Sequence, residues 1–141
     1  MLQRILVVDD DELLRESVCL TMHAGGYTPI SCGSGEAALD AARNTRPHLV
    51  LLDIVMPDLD GFGVLEALKA QHYTRAIPVL VMTTLRTEAQ VQRARELGAA
   101  GYVCKPVDKK TLLLRVQLLL PARDGADDAW TASKRCVEWL D

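Results

Sequence analysis

Leu51-Leu52-Asp53-Ile54-Val55-Met56-Pro57-Asp58-Leu59-Asp60-Gly61 reads as a buried strand that delivers one aspartate to its carboxyl end and then turns. From His48 to Leu52 the run is short and mostly apolar, as a parallel strand covered on both faces requires. Asp53 is the first side chain beyond it, which is where open α/β sheets place their ligands. An aspartate ending a strand is also ordinary turn chemistry, so this stretch alone leaves both readings open.

Three further runs end in polar groups. Ile5-Leu6-Val7-Val8 is followed by Asp9, Asp10 and Asp11. Asp11 is assigned to the start of the following helix, where an acidic cap is favourable. Capping does not explain three in a row, because adjacent carboxylates repel unless a cation neutralises them. Hard oxygen donors at a strand end suit Mg²⁺. Val79-Leu80-Val81-Met82 ends in Thr83 and Thr84, whose hydroxyls can donate to an oxyanion. Tyr102-Val103-Cys104 ends in Lys105-Pro106, and if the strand ends converge, Lys105 supplies the positive charge that the acidic cluster lacks. Asp58 and Asp60 are read as shaping the turn before Phe62 and capping its helix.

Between these runs the apolar spacing turns helical. Residues 12–24 carry Leu13, Leu14, Val18 and Met22 and stop at Gly25-Gly26. Residues 35–44 follow a Ser34 cap and end before Pro47, residues 62–71 follow the aspartate turn, and residues 87–97 stop at Gly98. Thr28 to Cys32 is the remaining strand and residues 108–120 the last helix. The order is strand then helix five times, which predicts an α/β fold with a parallel sheet and helices on both faces.

Val7-Val8-Asp9-Asp10, Leu52-Asp53-Ile54-Val55-Met56-Pro57 with Gly61, Met82-Thr83, and Gly98 through Lys105-Pro106 together resemble the receiver domain of two-component response regulators. The resemblance covers residues 2–120. It implies a flavodoxin-like, doubly wound (βα)5 fold with five parallel strands in the order 2-1-3-4-5. It also implies a signalling phosphoacceptor, catalysing only its own phosphorylation and dephosphorylation. Asp53 would take a phosphoryl group from the phosphohistidine of a sensor histidine kinase or phosphotransfer protein. The implied cofactor is Mg²⁺, held by Asp10, Asp53 and the backbone carbonyl of Val55, with Asp9 acting through water. Lys105 and Thr83 would bind phosphoryl oxygens, Thr83 and Tyr102 would form the switch, and the Lys105-Pro106 peptide would be cis. For Tyr102, plain packing as a strand aromatic is an equal reading. Val55 and Leu85 stand at two positions that affect dephosphorylation, and neither can orient water, which implies a long-lived phosphoryl.

The last helix carries more leucine than one core stripe needs. Leu112, Val116 and Leu119 suffice for the core, leaving Leu113, Leu114, Leu118 and, at the helix end, Leu120 to face outward. Such a face marks a partner surface, with a homodimer as one use, or is covered by the tail. Ala99, Ala100 and Gly101 replace the acidic residues that one DNA-binding receiver subfamily uses in its salt-bridged dimer. The domain is read as residues 1–120. Residues 121–141 are read as a linker and a short amphipathic helix, either an addition to a single-domain regulator or the start of a missing output module.

The length of 141 residues suits one domain, and a net charge of -3 without a Lys or Arg cluster predicts no direct nucleic-acid binding by this chain. The four cysteines show no CxxC pair, which argues for reduced thiols and against a zinc site. No apolar stretch approaches a membrane span, so a soluble, cytoplasmic protein is expected. Two rival functions are weighed. A haloacid-dehalogenase-type phosphatase also uses a strand-end Asp and Mg²⁺, but Leu13 departs from its motif and the chain is short for its remaining parts. A receiver-fold interaction module working without phosphate is the other, and the presence of Asp10, Asp53, Thr83 and Lys105 gives no reason to prefer it.

Overall fold

A computed structural model describes residues 2–57 and 60–120. The strands are β1 (Arg4–Val8), β2 (Thr28–Cys32), β3 (Leu49–Leu52), β4 (Val79–Thr83) and β5 (Gly101–Cys104). The helices are α1 (Glu12–Ala24), α2 (Gly35–Thr45), α3 (Gly61–Ala70), α4 (Glu88–Glu96) and α5 (Lys109–Leu119). All strand pairs are parallel and the sheet order is β2-β1-β3-β4-β5, the order that the sequence resemblance implies.

Period-two alternation along the strands divides the core in two. Leu6, Val8, Val50, Leu52, Val79 and Val81 face Ala38 and Ala42 of α2, Val64, Leu65 and Leu68 of α3, and Ala94 of α4. Ile5, Val7, Leu49, Leu51, Leu80 and Met82 face Val18 and Met22 of α1 and Leu112, Val116 and Leu119 of α5. β3 is buried along its whole length because both faces and both edges are covered. No helix among the described residues is long and apolar enough to cross a membrane.

Local chemistry sets the helix ends. Asp11, Ser34, Thr87 and Asp108 each accept a hydrogen bond from the backbone N–H three residues on, and Thr87 with Gln90 completes a capping box. After α1, Gly26 takes φ 92, and after α4, Gly98 takes φ 102, a backbone region that favours glycine.

The last helix differs from its sequence reading at three leucines. Leu120 is buried, not outward, because α5 ends at Leu119 and Leu120 turns to extended backbone that returns its side chain to the core. Leu113 is half-buried against the core and packs over Gly25 at the end of α1. Leu118 is also half-buried, so Leu114, 54% exposed, is the leucine of this face that stands in solvent. The expected linker and short helix at 121–141, and Asp58, lie outside the described residues.

At the opposite end of the sheet from the aspartates, β1 is locked to β3 and to the end of α2. The Arg4 guanidinium donates to the carbonyls of Thr45 (3.0 Å) and Arg46 (2.7 Å), satisfying the end of α2. The Arg4 backbone N–H donates to His48 Nδ1 at 2.9 Å, and the His48 N–H returns a bond to the Arg4 carbonyl at 2.8 Å. An acceptor role for Nδ1 requires the neutral imidazole. Burial and the Arg4 charge both hold the His48 pKa below its ordinary value. A lowered histidine pKa contributes stability that is present above the ordinary value and is lost as pH falls through the folded one. His48→Asn keeps an acceptor in place of Nδ1 without titrating. Thermal unfolding at about pH 7.5 and about pH 5 is therefore expected to show a larger loss for the wild type than for His48→Asn, and equal losses would remove His48 as the cause.

Candidate functional site

The carboxyl ends of β1, β3, β4 and β5 converge on one cluster. The sheet hydrogen bonding runs one residue past each of two strands: Asp9 N–H donates to Cys32 O (3.1 Å) and Asp53 N–H donates to Val8 O (3.0 Å). This fixes both aspartates at the sheet end, where they are almost fully buried. One carboxylate oxygen of each is used locally. Asp9 Oδ1 accepts from Asp11 N–H (2.9 Å), and Asp53 Oδ1 accepts from Val55 N–H (3.0 Å). The other oxygens meet a single ammonium, with Lys105 Nζ 2.7 Å from Asp9 Oδ2 and 2.9 Å from Asp53 Oδ2.

Lys105 arrives from β5, and its backbone N–H donates to Thr83 O at 2.8 Å. The peptide between Lys105 and Pro106 is cis. Burial alone would lower the Lys105 pKa, but the hydrogen bonds and charges of Asp9 and Asp53 outweigh it and hold the pKa above the ordinary lysine value. Asp10, exposed at the rim, completes an acidic group in which Asp9, Asp10 and Asp53 each offer an oxygen within 4.8 Å of the others. Three carboxylates against one ammonium leave two negative charges unbalanced, and this hard oxygen set fits a divalent cation such as Mg²⁺. Val55, its side chain half exposed, stands beside the group through its bond to Asp53.

Glycine is required where α3 begins. Gly61 N–H donates to Ile54 O at 3.1 Å, and a Cβ on Gly61 would overlap the Ile54 backbone next to Asp53. Asp60 caps α3 by accepting from Phe62 N–H at 3.0 Å, as the sequence reading has it.

Model-based comparison matches residues 5–117 to the response regulator receiver domain. The chain belongs to this family. The receiver is 37% identical over 124 residues to the DNA-binding response regulator MtrA of Mycobacterium tuberculosis, covering 88% of this chain and 53% of that protein. It is 33% identical over 120 residues to the phosphate regulon transcriptional regulatory protein PhoB of Escherichia coli, covering 85% and 52%. The chain therefore spans about half the length of these curated relatives. Among solved structures, chemotaxis protein CheY4 of Vibrio cholerae is similar at 30% identity and a TM-score of 0.82, with 85% of this chain and all of that one covered. Residues 5–117 are thus a receiver domain of the kind found in two-component response regulators.

Two residues named for switching are joined through a third that the sequence reading assigned only to dephosphorylation. Thr83 is fully buried, and its Oγ1 accepts from Leu85 N–H at 3.4 Å. Tyr102 is buried in the core, and its hydroxyl donates to Leu85 O at 2.8 Å. Burial, with the charges of Cys104 and Asp53, pushes the Tyr102 phenol up to about 12, so it remains a donor throughout the neutral range. Arg86 extends this tie by donating to Lys105 O at 2.9 Å. The contacts to Leu85 and from Arg86 were missed in sequence because main-chain acceptors carry no residue signature.

Removing the ammonium tests the electrostatic account. Lys105→Met leaves Asp9 and Asp53 buried without their cation, which is expected to cost about 3–5 kcal/mol of unfolding free energy in Mg²⁺-free buffer. Millimolar Mg²⁺ is expected to restore more stability to the variant than it adds to the wild type. Since the Lys105 pKa is raised, the wild-type contribution persists at neutral pH and is lost only as pH rises through that elevated value. Denaturant titrations with and without Mg²⁺ measure this, and an unchanged Mg²⁺-free midpoint would contradict it.

Proposed function

We propose that Asp53 is the phosphoacceptor of this receiver, taking a phosphoryl group from the phosphohistidine of a sensor histidine kinase or phosphotransfer protein in a Mg²⁺-dependent reaction. The observation that carries this reading is a buried carboxylate at the end of β3, bonded to Lys105 and grouped with Asp9 and Asp10. A carboxylate oxygen of Asp53 forms the new O–P bond as the N–P bond of the donor breaks, and the imidazole nitrogen takes the electron pair and a proton. Mg²⁺, held by Asp10, Asp53 and the Val55 carbonyl with Asp9 through water, would offset the repulsion between two anions.

The chain's own groups then rearrange around the new charge. Lys105 pairs its ammonium with a phosphoryl oxygen in place of the Asp53 carboxylate. Thr83 already accepts from Leu85, which leaves its hydroxyl proton to donate to a second oxygen. Movement of Thr83 is transmitted through Leu85, whose carbonyl holds the Tyr102 hydroxyl. The surface that reads this change includes α5, where Leu114 is exposed beside half-buried Leu113 and Leu118, and a homodimer is one use of it. The absence of direct nucleic-acid contact is proposed for this receiver alone, since the DNA-binding relative MtrA extends well beyond the matched part.

Mass spectrometry after incubation with a small phosphodonor is expected to show one labile phosphoryl on Asp53 that requires Mg²⁺ and is absent from Asp53→Asn. A folded wild-type chain that stays unmodified both by this donor and by phosphorylated kinases would support the phosphate-independent module instead. Turnover of a phosphomonoester would support the phosphatase. The Val55 side chain is half exposed beside Asp53 and cannot hydrogen-bond water. Val55→Asn adds a water-orienting group worth about 1 kcal/mol, so phosphoryl loss is expected to quicken roughly five-fold. An unaltered lifetime would remove Val55 as the cause of slow loss.

A further inference from the structure

Each carboxylate of the acidic group is restrained differently. Those of Asp9 and Asp53 accept from backbone N–H groups and from Lys105. Among the described residues no hydrogen bond restrains the Asp10 carboxylate itself. The position from which it can reach its neighbours depends on the main chain that carries it, and that main chain is held by Arg15 of α1.

Arg15 is half-buried and reaches two strands at once. Its Nη1 donates to the backbone oxygen of Asp9 at 2.6 Å, and its Nε donates to Ser31 Oγ on β2 at 2.7 Å. The guanidinium lies over Gly33, where a Cβ would come within 2.9 Å of Nη1, so the missing side chain makes room for it. The gripped oxygen belongs to the peptide that joins Asp9 to Asp10. Asp9 N–H, one peptide earlier, is tied to Cys32 O. Both peptides flanking Asp9 are thus pinned to the β2 side of the sheet, one directly and one through the guanidinium fork.

We propose that Arg15 is a positioning residue for divalent-cation binding, orienting the Asp9–Asp10 peptide so that the Asp10 carboxylate joins Asp9 and Asp53. This rests on the reading of those carboxylates as the Mg²⁺ site. A planar fork with donors at fixed angles can serve two acceptors on different strands, whereas a lysine ammonium in the same place reaches one well. Residues that orient metal ligands from behind typically change metal affinity by about 10–100-fold when replaced.

The sign of the effect separates this role from two others. As a nearby positive charge alone, Arg15 would oppose a cation, and its removal would tighten binding. As a purely structural residue it would affect unfolding and leave affinity alone. Calorimetric titration of the unphosphorylated full chain with Mg²⁺ is expected to show about ten-fold weaker binding for Arg15→Met, with Arg15→Lys in between. Phosphorylation by a small phosphodonor should slow at sub-saturating Mg²⁺ and recover at saturation. Gly33→Ala, which displaces the guanidinium while leaving residue 15 intact, should weaken binding in the same direction, and it decides alone if Arg15→Met does not fold. Unchanged or tighter binding in these variants, with normal wild-type binding, overturns the role of Arg15. Absence of Mg²⁺ binding by the wild type would overturn the Mg²⁺-dependent phosphoacceptor reading, and this role with it.

Discussion

One ammonium shared by two buried carboxylates is the constraint around which this domain is organised. Asp9 and Asp53 are carried to adjacent strand ends and taken almost entirely out of water. In that environment their repulsion is strong, and each has an oxygen that no local N–H satisfies. Lys105 meets both demands with two short bonds, and it also joins the central strands to β5, on the edge of the sheet. Asp10, on the rim, adds a third carboxylate to the two that share the ammonium, and together the three could hold a metal ion.

The parallel sheet makes this arrangement possible. Its strands share one direction, so their carboxyl ends lie together and each successive strand can contribute one group. Complete burial of β3 holds the Asp53 backbone firmly, and the start of α3 packs closely against the Ile54 backbone at Gly61. Around the rim, contacts through main-chain atoms link parts with different tasks. Leu85 joins Thr83 to Tyr102, and Arg86 joins the same loop to the Lys105 carbonyl. The Thr83 hydroxyl at the end of β4 is thus connected to Tyr102 of β5 through main-chain atoms of the loop between them.

Much of this was legible in the chain as written. The apolar runs, their polar terminators, the caps at Asp11, Ser34 and Asp60 and the breaks at Gly26 and Gly98 are local matters of burial, hydrogen bonding and allowed φ. Together with the resemblance of the dispersed motifs, they led to the strand order and to the grouping of Asp9, Asp10, Asp53 and Lys105. The reading of α5 was less accurate because helical spacing assumes that the helix continues. Leu120 leaves the helix and turns inward, and Leu113 finds Gly25 across from it, a small residue distant in sequence.

By itself the sequence determined which residues form strands and helices, and which side chain ends each strand, because those properties depend on neighbours within a few positions. Only the tertiary structure decided which oxygen meets which nitrogen. Lys105 lies 96 residues from Asp9 and 52 from Asp53, and its bonds to them exist through sheet closure, not through any local pattern. The same holds for Arg15, which by spacing is one more polar residue on an amphipathic helix. Its grip on the Asp9 carbonyl and Ser31 follows from the packing of α1 beside β2, and a main-chain acceptor leaves no mark in the sequence.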